Sequence, residues 1–317
     1  MNIGIDLGGS HIAVGLVSTD GKIIDKLEKD IIKKDNIQDI EDLIVSTIIN
    51  FIKELLKEHN IEINNIKKIG IATPGEPKDG YIKNVVNLGI KSFPIVNILK
   101  ENLQYSNISI RNDAKCAAIA EKTYGSLKNV EDAIFLCIGT GIGGAAFING
   151  EMLIPKRYSG FEFGHMVIKK DGKLCKCGNK GCFETYASMK ALKLDISKEL
   201  GIDYKDSRKI VESLKENQNN KQIIAILEEY LNDLILGLTN ITNILEPEAI
   251  SLGGGFIYYK DILWNKLNNK FSNNKLFFNK GDIPKLKLAT FGNDAGIIGS
   301  GIDKIWKRLY NIPSELP

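Results

Sequence analysis

NIGIDLGGSHIAVGLVSTDGKIIDKLEKDI, residues 2–31, opens the chain, and AIFLCIGTGIGGAAFINGEMLI, residues 133–154, echoes it. In the first stretch apolar residues run along 3–7 and 12–17, and Asp20-Gly21 makes the turn into a third strand. The second has the same grammar: a strand, a glycine-rich tight turn, a second strand, a turn at Gly150 and a third strand. An internal echo of this kind points to two related lobes.

Reading outward, residues 37–58 carry Ile40, Leu43, Ile44, Ile48, Phe51, Leu55 and Leu56 at helical spacing. Residues 66–77 read as a buried strand that stops at Pro74-Gly75, and 107–113 as a strand running into a helix of small residues. The segment 157–186 is loop-rich, 187–245 is mostly helical, and 248–256 is strand, glycine turn and helix start. Residues 285–309 read as a strand, a turn and a last helix. Strand meanders mixed with long helices, twice over, predict an α/β chain of two lobes with a cleft between them, where ligands sit at strand ends.

Composition bounds the function. At 317 residues, 43% hydrophobic and 26% charged, the chain has the make-up of a soluble globular protein of two lobes. A formal net charge of +3 gives nucleic acid no basic surface to bind. The start, MNIGIDLGG, lacks the basic and cleavable pattern of a signal peptide, and no stretch approaches the roughly 18 apolar residues of a membrane helix. The expectation is a cytoplasmic protein with no membrane and no nucleic-acid partner. Three of the five cysteines crowd into Cys175, Cys177 and Cys182, which in a reducing compartment reads as a metal site before it reads as disulfides.

Three glycine turns and two polar clusters carry candidate chemistry. In Asp6-Leu7-Gly8-Gly9-Ser10 a strand delivers an acid to its end, and Gly8 and Gly9 let backbone N–H groups approach an anion. Ser10 can donate as well, and Asp6 could hold Mg²⁺ through water. A plain hairpin is the other reading of these residues. Gly139-Thr140-Gly141 forms a second such turn, with neither a Walker ending nor a following helix. Gly253, Gly254 and Gly255 close a strand before a helix, where a ring or a phosphate can lie on the backbone, or helix and strand can simply pack closely. Asn112-Asp113 stands between strand and helix and reads either as a helix cap or as a hydroxyl contact and a general base. His165 with Cys175, Cys177 and Cys182 makes a Cys₃His set of the closed, structural zinc type. Glu162, His165 and Glu184 bracket that loop, and Asn87 is a further candidate for a hydroxyl contact. Cys116, Cys137, His11 and His59 read as ordinary structural residues.

Together these motifs resemble the ROK family of sugar kinases and sugar-responsive repressors, within the actin-like and hexokinase-like ATPase superfamily. DLGGS (6–10) and GTGIGGA (139–145) resemble its phosphate motifs, and LGGG (252–255) its adenosine motif. EFGH (162–165) matches its sugar motif, and CKCGNKGCFE (175–184) matches its zinc signature through to the sugar-binding Glu. The resemblance implies a two-lobed ribonuclease H-like ATPase fold with an interlobe cleft. The lobes are expected as 1–113, with a last helix near 294–317 packing back on it, and 114–293. It further implies ATP with Mg²⁺ as cofactor, structural Zn²⁺, a homodimer, and Asp113 as base. Asn87, Asn112, Asp113, Glu162, His165 and Glu184 would line the sugar, His165 giving one ring nitrogen to zinc. The implied reaction is phosphorylation of a hexose at the 6-hydroxyl, with glucose preferred over N-acetylmannosamine, N-acetylglucosamine, mannose or fructose. A non-catalytic sugar sensor is the rival from another class. NLG (87–89) is followed by Ile90, where many glucokinases of the family have Trp. The family's repressors carry a DNA-binding segment before the core, and a first phosphate motif at residue 6 leads to the expectation of a kinase.

Overall fold

The computed structural model describes residues 1–31, 36–75, 77–85, 88–155, 160–279 and 281–302, and the backbone of 306–308. The chain divides into two compact units, Met1–Lys128 with Asn293–Ile305 and Asn129–Gly292 with Trp306–Pro317.

In the first unit β1 (Asn2–Leu7), β2 (His11–Val17) and β3 (Ile23–Asp30) form an antiparallel meander. Helix α1 (Ile37–Glu58) begins where the Asn36 side chain accepts from the Gln38 N–H. It buries Ile40, Ile44, Ile48, Ile52 and Leu55 along one face, the helical period that the sequence shows. Strand β4 (Ile69–Thr73) lies parallel to β1. A two-stranded ribbon of β5 (Ile82–Val85) and β6 (Ile90–Phe93) then leads into α2 (Ile95–Leu103). The ribbon and α2 have no counterpart in the sequence reading, because their apolar runs are short. Strand β7 (Ile108–Asn112) joins β4 in parallel and hands the chain to α3 (Asp113–Thr123). The sheet order is β3-β2-β1-β4-β7. The unit runs through α3 to Lys128 rather than stopping at Asp113.

The second unit starts its own meander with β8 (Ala133–Ile138), β9 (Ile142–Ile148) and β10 (Glu151–Ile154). Helices α4 (Glu184–Ala187), α5 (Met189–Leu200), α6 (Ser207–Glu216) and α7 (Lys221–Leu245) follow, then β11 (Ala249–Gly253), α8 (Lys260–Ser272) and β12 (Lys285–Leu288). Strands β11 and β8 are parallel neighbours, as are β11 and β12. Read as β10-β9-β8-β11-β12, the order and the strand senses repeat those of β3-β2-β1-β4-β7. Leu231, Leu234, Leu238 and Ile241 of α7 pack in one core with Phe183, Phe256 and the sheet. Removing one such side chain to Ala is expected to destabilise by about 2–5 kcal/mol.

The end of the chain departs from the sequence reading. The last helix, α9 (Ala295–Ser300), is short. It packs on β1, β4 and α3 in the first unit, where Ile297 joins Ala13 and Val17. Trp306–Arg308 is a strand, β13, parallel to β10, where the sequence pattern predicts helix. Gly299 and Gly301 flank the helix end and are poor helix formers, which accounts for the early stop. No helix among the described residues is long and apolar enough to cross a membrane.

Candidate metal centre and active site

His165 ends a 3-10 turn, Phe163–His165, whose Phe163 is anchored in the core of the second unit. From there the chain folds back on itself. The Ile168 N–H donates to the Gly181 carbonyl, that of Gly181 to Lys173, that of Cys175 to Asn179 and that of Phe183 to Met166. Gly181 takes a left-handed φ of 82°, and a side chain there would collide with the Lys169 carbonyl. The loop is tied to α7 through Lys169, whose Nζ donates to Asp233 at 2.8 Å and lies 4.5 Å above the Tyr186 ring.

This folding gathers His165, Cys175, Cys177 and Cys182, with all four ligand atoms within 4.8 Å of one another. Cys177 Sγ and Cys182 Sγ are 3.7 Å apart, and so are Cys175 Sγ and His165 Nδ1. A zinc tetrahedron with Zn–S bonds of about 2.3 Å has S–S edges of about 3.8 Å, so the residues fit that ion. The Cys177 thiol is held down to about 7, first by its hydrogen bond to the Asn179 backbone, which favours the thiolate a metal needs. Four protein ligands leave no open position, the pattern of a structural site.

Glu184 follows directly as the first residue of α4. Its Oε1 lies 3.2 Å from Cys175 Sγ and 3.9 Å from His165 Nδ1. Its Oε2 accepts from the Ile142 N–H at 3.4 Å, at the end of the Gly139-Thr140-Gly141 turn. Strands β8 and β11 are neighbours, with Gly253 opposite Cys137, so the turns 139–141 and 253–255 share one edge of the sheet. Met189 packs near Gly255 on the same side. Glu162 lies exposed at the head of the 3-10 turn. The second unit thus brings together both glycine turns, Glu162, His165, Glu184 and the cysteines.

The first unit assembles the carboxylates. Asp6 is the penultimate residue of its strand, just before the Gly8-Gly9-Ser10 turn, and His11 Nε2 stands 3.7 Å from Asp6 Oδ2. Asn112 is the cap of α3: its Oδ1 accepts from the Lys115 N–H at 3.3 Å, and its Nδ2 donates to the Gly75 carbonyl at 3.3 Å. Asp113 is therefore free of the capping role and becomes the first helical residue, with Oδ1 accepting from the Ala114 N–H at 2.7 Å. Burial pushes the Asp113 carboxyl above the usual range, and the charge of Asp6 adds to the shift. The sequence reading passes over His11, which touches the first turn: a Cβ on Gly8 would stand 2.7 Å from the His11 ring. The available signal was its position, one of three histidines placed beside Ser10. Asn87 lies outside the described residues.

The model of the ROK family matches residues 2–303. The chain belongs to the ROK family. The glucokinase of Halalkalibacterium halodurans is 30% identical over 94% of this chain and 93% of its own length. The xylose repressor of Bacillus subtilis is 29% identical over 94% of this chain and 75% of its own length. The crystal structure of a ROK hexokinase from Thermus thermophilus, 25% identical, superposes with a TM-score of 0.77 over 95% of this chain and 96% of that one. The two-lobed α/β architecture expected for a ROK protein is the one found.

Proposed function

We propose that the chain is an ATP-dependent hexose kinase that phosphorylates a sugar at its 6-hydroxyl, with glucose preferred. The observation that carries the reading is Asp113. It is a carboxylate with a raised pKa, relieved of the capping role by Asn112, and it feels the charge of Asp6. A general base needs that poise and a sensor does not. The glucokinase relative supports the choice of sugar, and the repressor relative marks the rival reading.

In this reading Asp113 accepts the proton of the attacking hydroxyl as its oxygen bonds to the γ-phosphorus of ATP and the bond to the leaving ADP breaks. Backbone N–H groups of Gly9 and Ser10 in the first turn and of Thr140 and Gly141 in the second would meet the phosphates, and Gly253–Gly255 would carry the adenosine. Asp6 would hold Mg²⁺ through water, and the ion supplies charge neutralisation at the phosphates. Glu162, His165 and Glu184 hold sugar hydroxyls, with His165 Nδ1 turned to the cysteines and Nε2 left for the sugar. Zn²⁺ on His165, Cys175, Cys177 and Cys182 would keep that loop in shape.

A coupled ATPase assay over glucose, mannose, N-acetylglucosamine and N-acetylmannosamine tests the reading. The highest kcat/KM is expected for glucose. A tenfold preference for an N-acetyl sugar, about 1.4 kcal/mol, overturns the glucose assignment. Sugar binding with no turnover on any member of the panel replaces the kinase by the sensor.

A further inference from the structure

The Glu184 carboxylate spans two parts of the second unit that a kinase uses for different substrates. Oε1 faces Cys175 and His165, while Oε2 accepts from the Ile142 N–H and lies against the Cα of Gly141. A Cβ on Gly141 would fall inside contact distance of Oε2, and its other near neighbour is the carbon of the same carboxylate. Glu184 meets the turn at this end. At the other end the Gly139 carbonyl accepts from the Lys190 N–H of α5 at 3.2 Å, and the Gly139 N–H donates to the Gly141 carbonyl at 2.9 Å. The turn is therefore clamped between α5 and a side chain whose surface remains 20% exposed. The turn and the carboxylate are in direct contact, so a group added to the turn at Gly141 must displace Oε2.

We infer that Gly141 is a positioning residue for the sugar, acting through Glu184, and that sugar and nucleotide affinities are coupled across this contact. The inference rests on the proposed reading of Glu184 as a sugar contact and of 139–141 as a phosphate turn. Its physical content is narrower than either. Gly141 is not among the glycines with left-handed φ, so an alanine suits the backbone and changes only the space that Oε2 occupies. Gly139, two residues earlier in the same turn, has nothing within 4 Å of its Cβ position.

The test uses the zinc-loaded protein and reads sugar binding by calorimetry without nucleotide. Gly141→Ala is expected to weaken the preferred sugar about tenfold, with zinc content and thermal midpoint held. Gly139→Ala, whatever it does to ATP use, should leave nucleotide-free sugar binding where it was. Glu184→Asp draws the carboxylate back from the turn. It should raise the KM for ATP although no glycine is touched, and in its background Gly141→Ala should add no further loss of sugar affinity. Gly141→Ala that binds sugar like the parent, or Glu184→Asp with an unchanged KM for ATP, overturns the inference alone. A parent chain that binds no sugar of the panel overturns the underlying reading and the inference with it.

Discussion

The two units carry one strand plan and opposite chemistries. At the position before the last residue of the first strand, the first unit has Asp6 and the second has Cys137. The turn that follows is closed in the first unit by the Gly8 N–H on the His11 carbonyl, and in the second by the Gly139 N–H on Gly141. Where β7 ends, the first unit places Asp113 at the head of a helix, and the second unit's β12 is followed by a short 3-10 turn. The second unit spends its extra length between β10 and α5 on the cysteine loop. The shared frame supplies turns that can meet an anion, and the strand ends differ in what they carry; in the proposed reading the first unit supplies the base and the second the sugar contacts.

If that division is right, the largest effect belongs to Asp113. Asp113→Asn is expected to lower kcat by about 10²-fold or more, since an amide cannot accept the proton. The fold should not suffer, because Asn112 is the cap. Its carboxyl has a raised pKa in the folded chain, so its contribution to stability is present below the ordinary carboxylate value and lost as pH rises through the raised value. At neutral pH the variant should thus melt no lower than the parent. For the same reason the acid limb of kcat/KM should lie above the value of about 3.9 for a free Asp. Near-normal kcat would return Asp113 to a structural role.

The second largest effect tests the other unit. Cys177→Ser, or chelation, should remove zinc from a parent that carries about one ion per chain. Loss of the ion should weaken sugar binding at least tenfold, about 1.4 kcal/mol. Amide exchange should rise in 163–184 and stay unchanged in β1, β2 and β4. Active protein free of metal would remove the structural role.

Much of this plan was legible in the chain because both meanders alternate strand and glycine turn. The gathering of His165 with the three cysteines was legible because cysteines and a histidine at short spacing have few other uses. What was hidden depended on contacts distant in sequence. Nothing local shows that Glu184 reaches Ile142, or that the last helix stops at Ser300. The strand at Trp306–Arg308 was hidden because its partner β10 lies far back in the chain. His11 was passed over because a lone histidine in a strand pattern is usually structural, and only the fold sets it beside Asp6.

Asn112 offers a smaller and sharper test, since its cap bond is the reason Asp113 is released from that role. Asn112→Ala should lower stability by about 1 kcal/mol, or roughly 2–4 °C in the melting point. Asn112→Asp retains the cap oxygen and should keep the melting point. If kcat/KM for the sugar falls in both variants while stability falls only in the first, Asn112 also holds a hydroxyl. If activity follows stability alone, its role ends at the cap.

The smallest expected effect comes from His11, and it separates the two turns by charge. Gly139-Thr140-Gly141 carries no titrating side chain, whereas the first turn has His11 facing Asp6 on β1, with Glu28 and Asp30 on β3. The hydrogen bond toward Asp6 is the leading cause that raises the His11 pKa, burial opposes it, and the charges of Asp6, Glu28 and Asp30 add to the rise. A histidine raised above 6.5 in the folded chain lends stability that is fully present below that value and is lost as pH climbs through the raised one. The ring is 46% exposed, so solvent screens the pair and the effect stays in the range of a surface ion pair. His11→Gln should therefore lower the melting point at pH 5.5 by on the order of one or two degrees and leave it unchanged at pH 8.5. The same variant should flatten the pH dependence of ATP affinity if the protonated ring faces the phosphates of the first turn. A melting curve in which parent and variant differ equally at both pH values would show that the ring acts by packing against Gly8, and the two turns would then differ in shape alone.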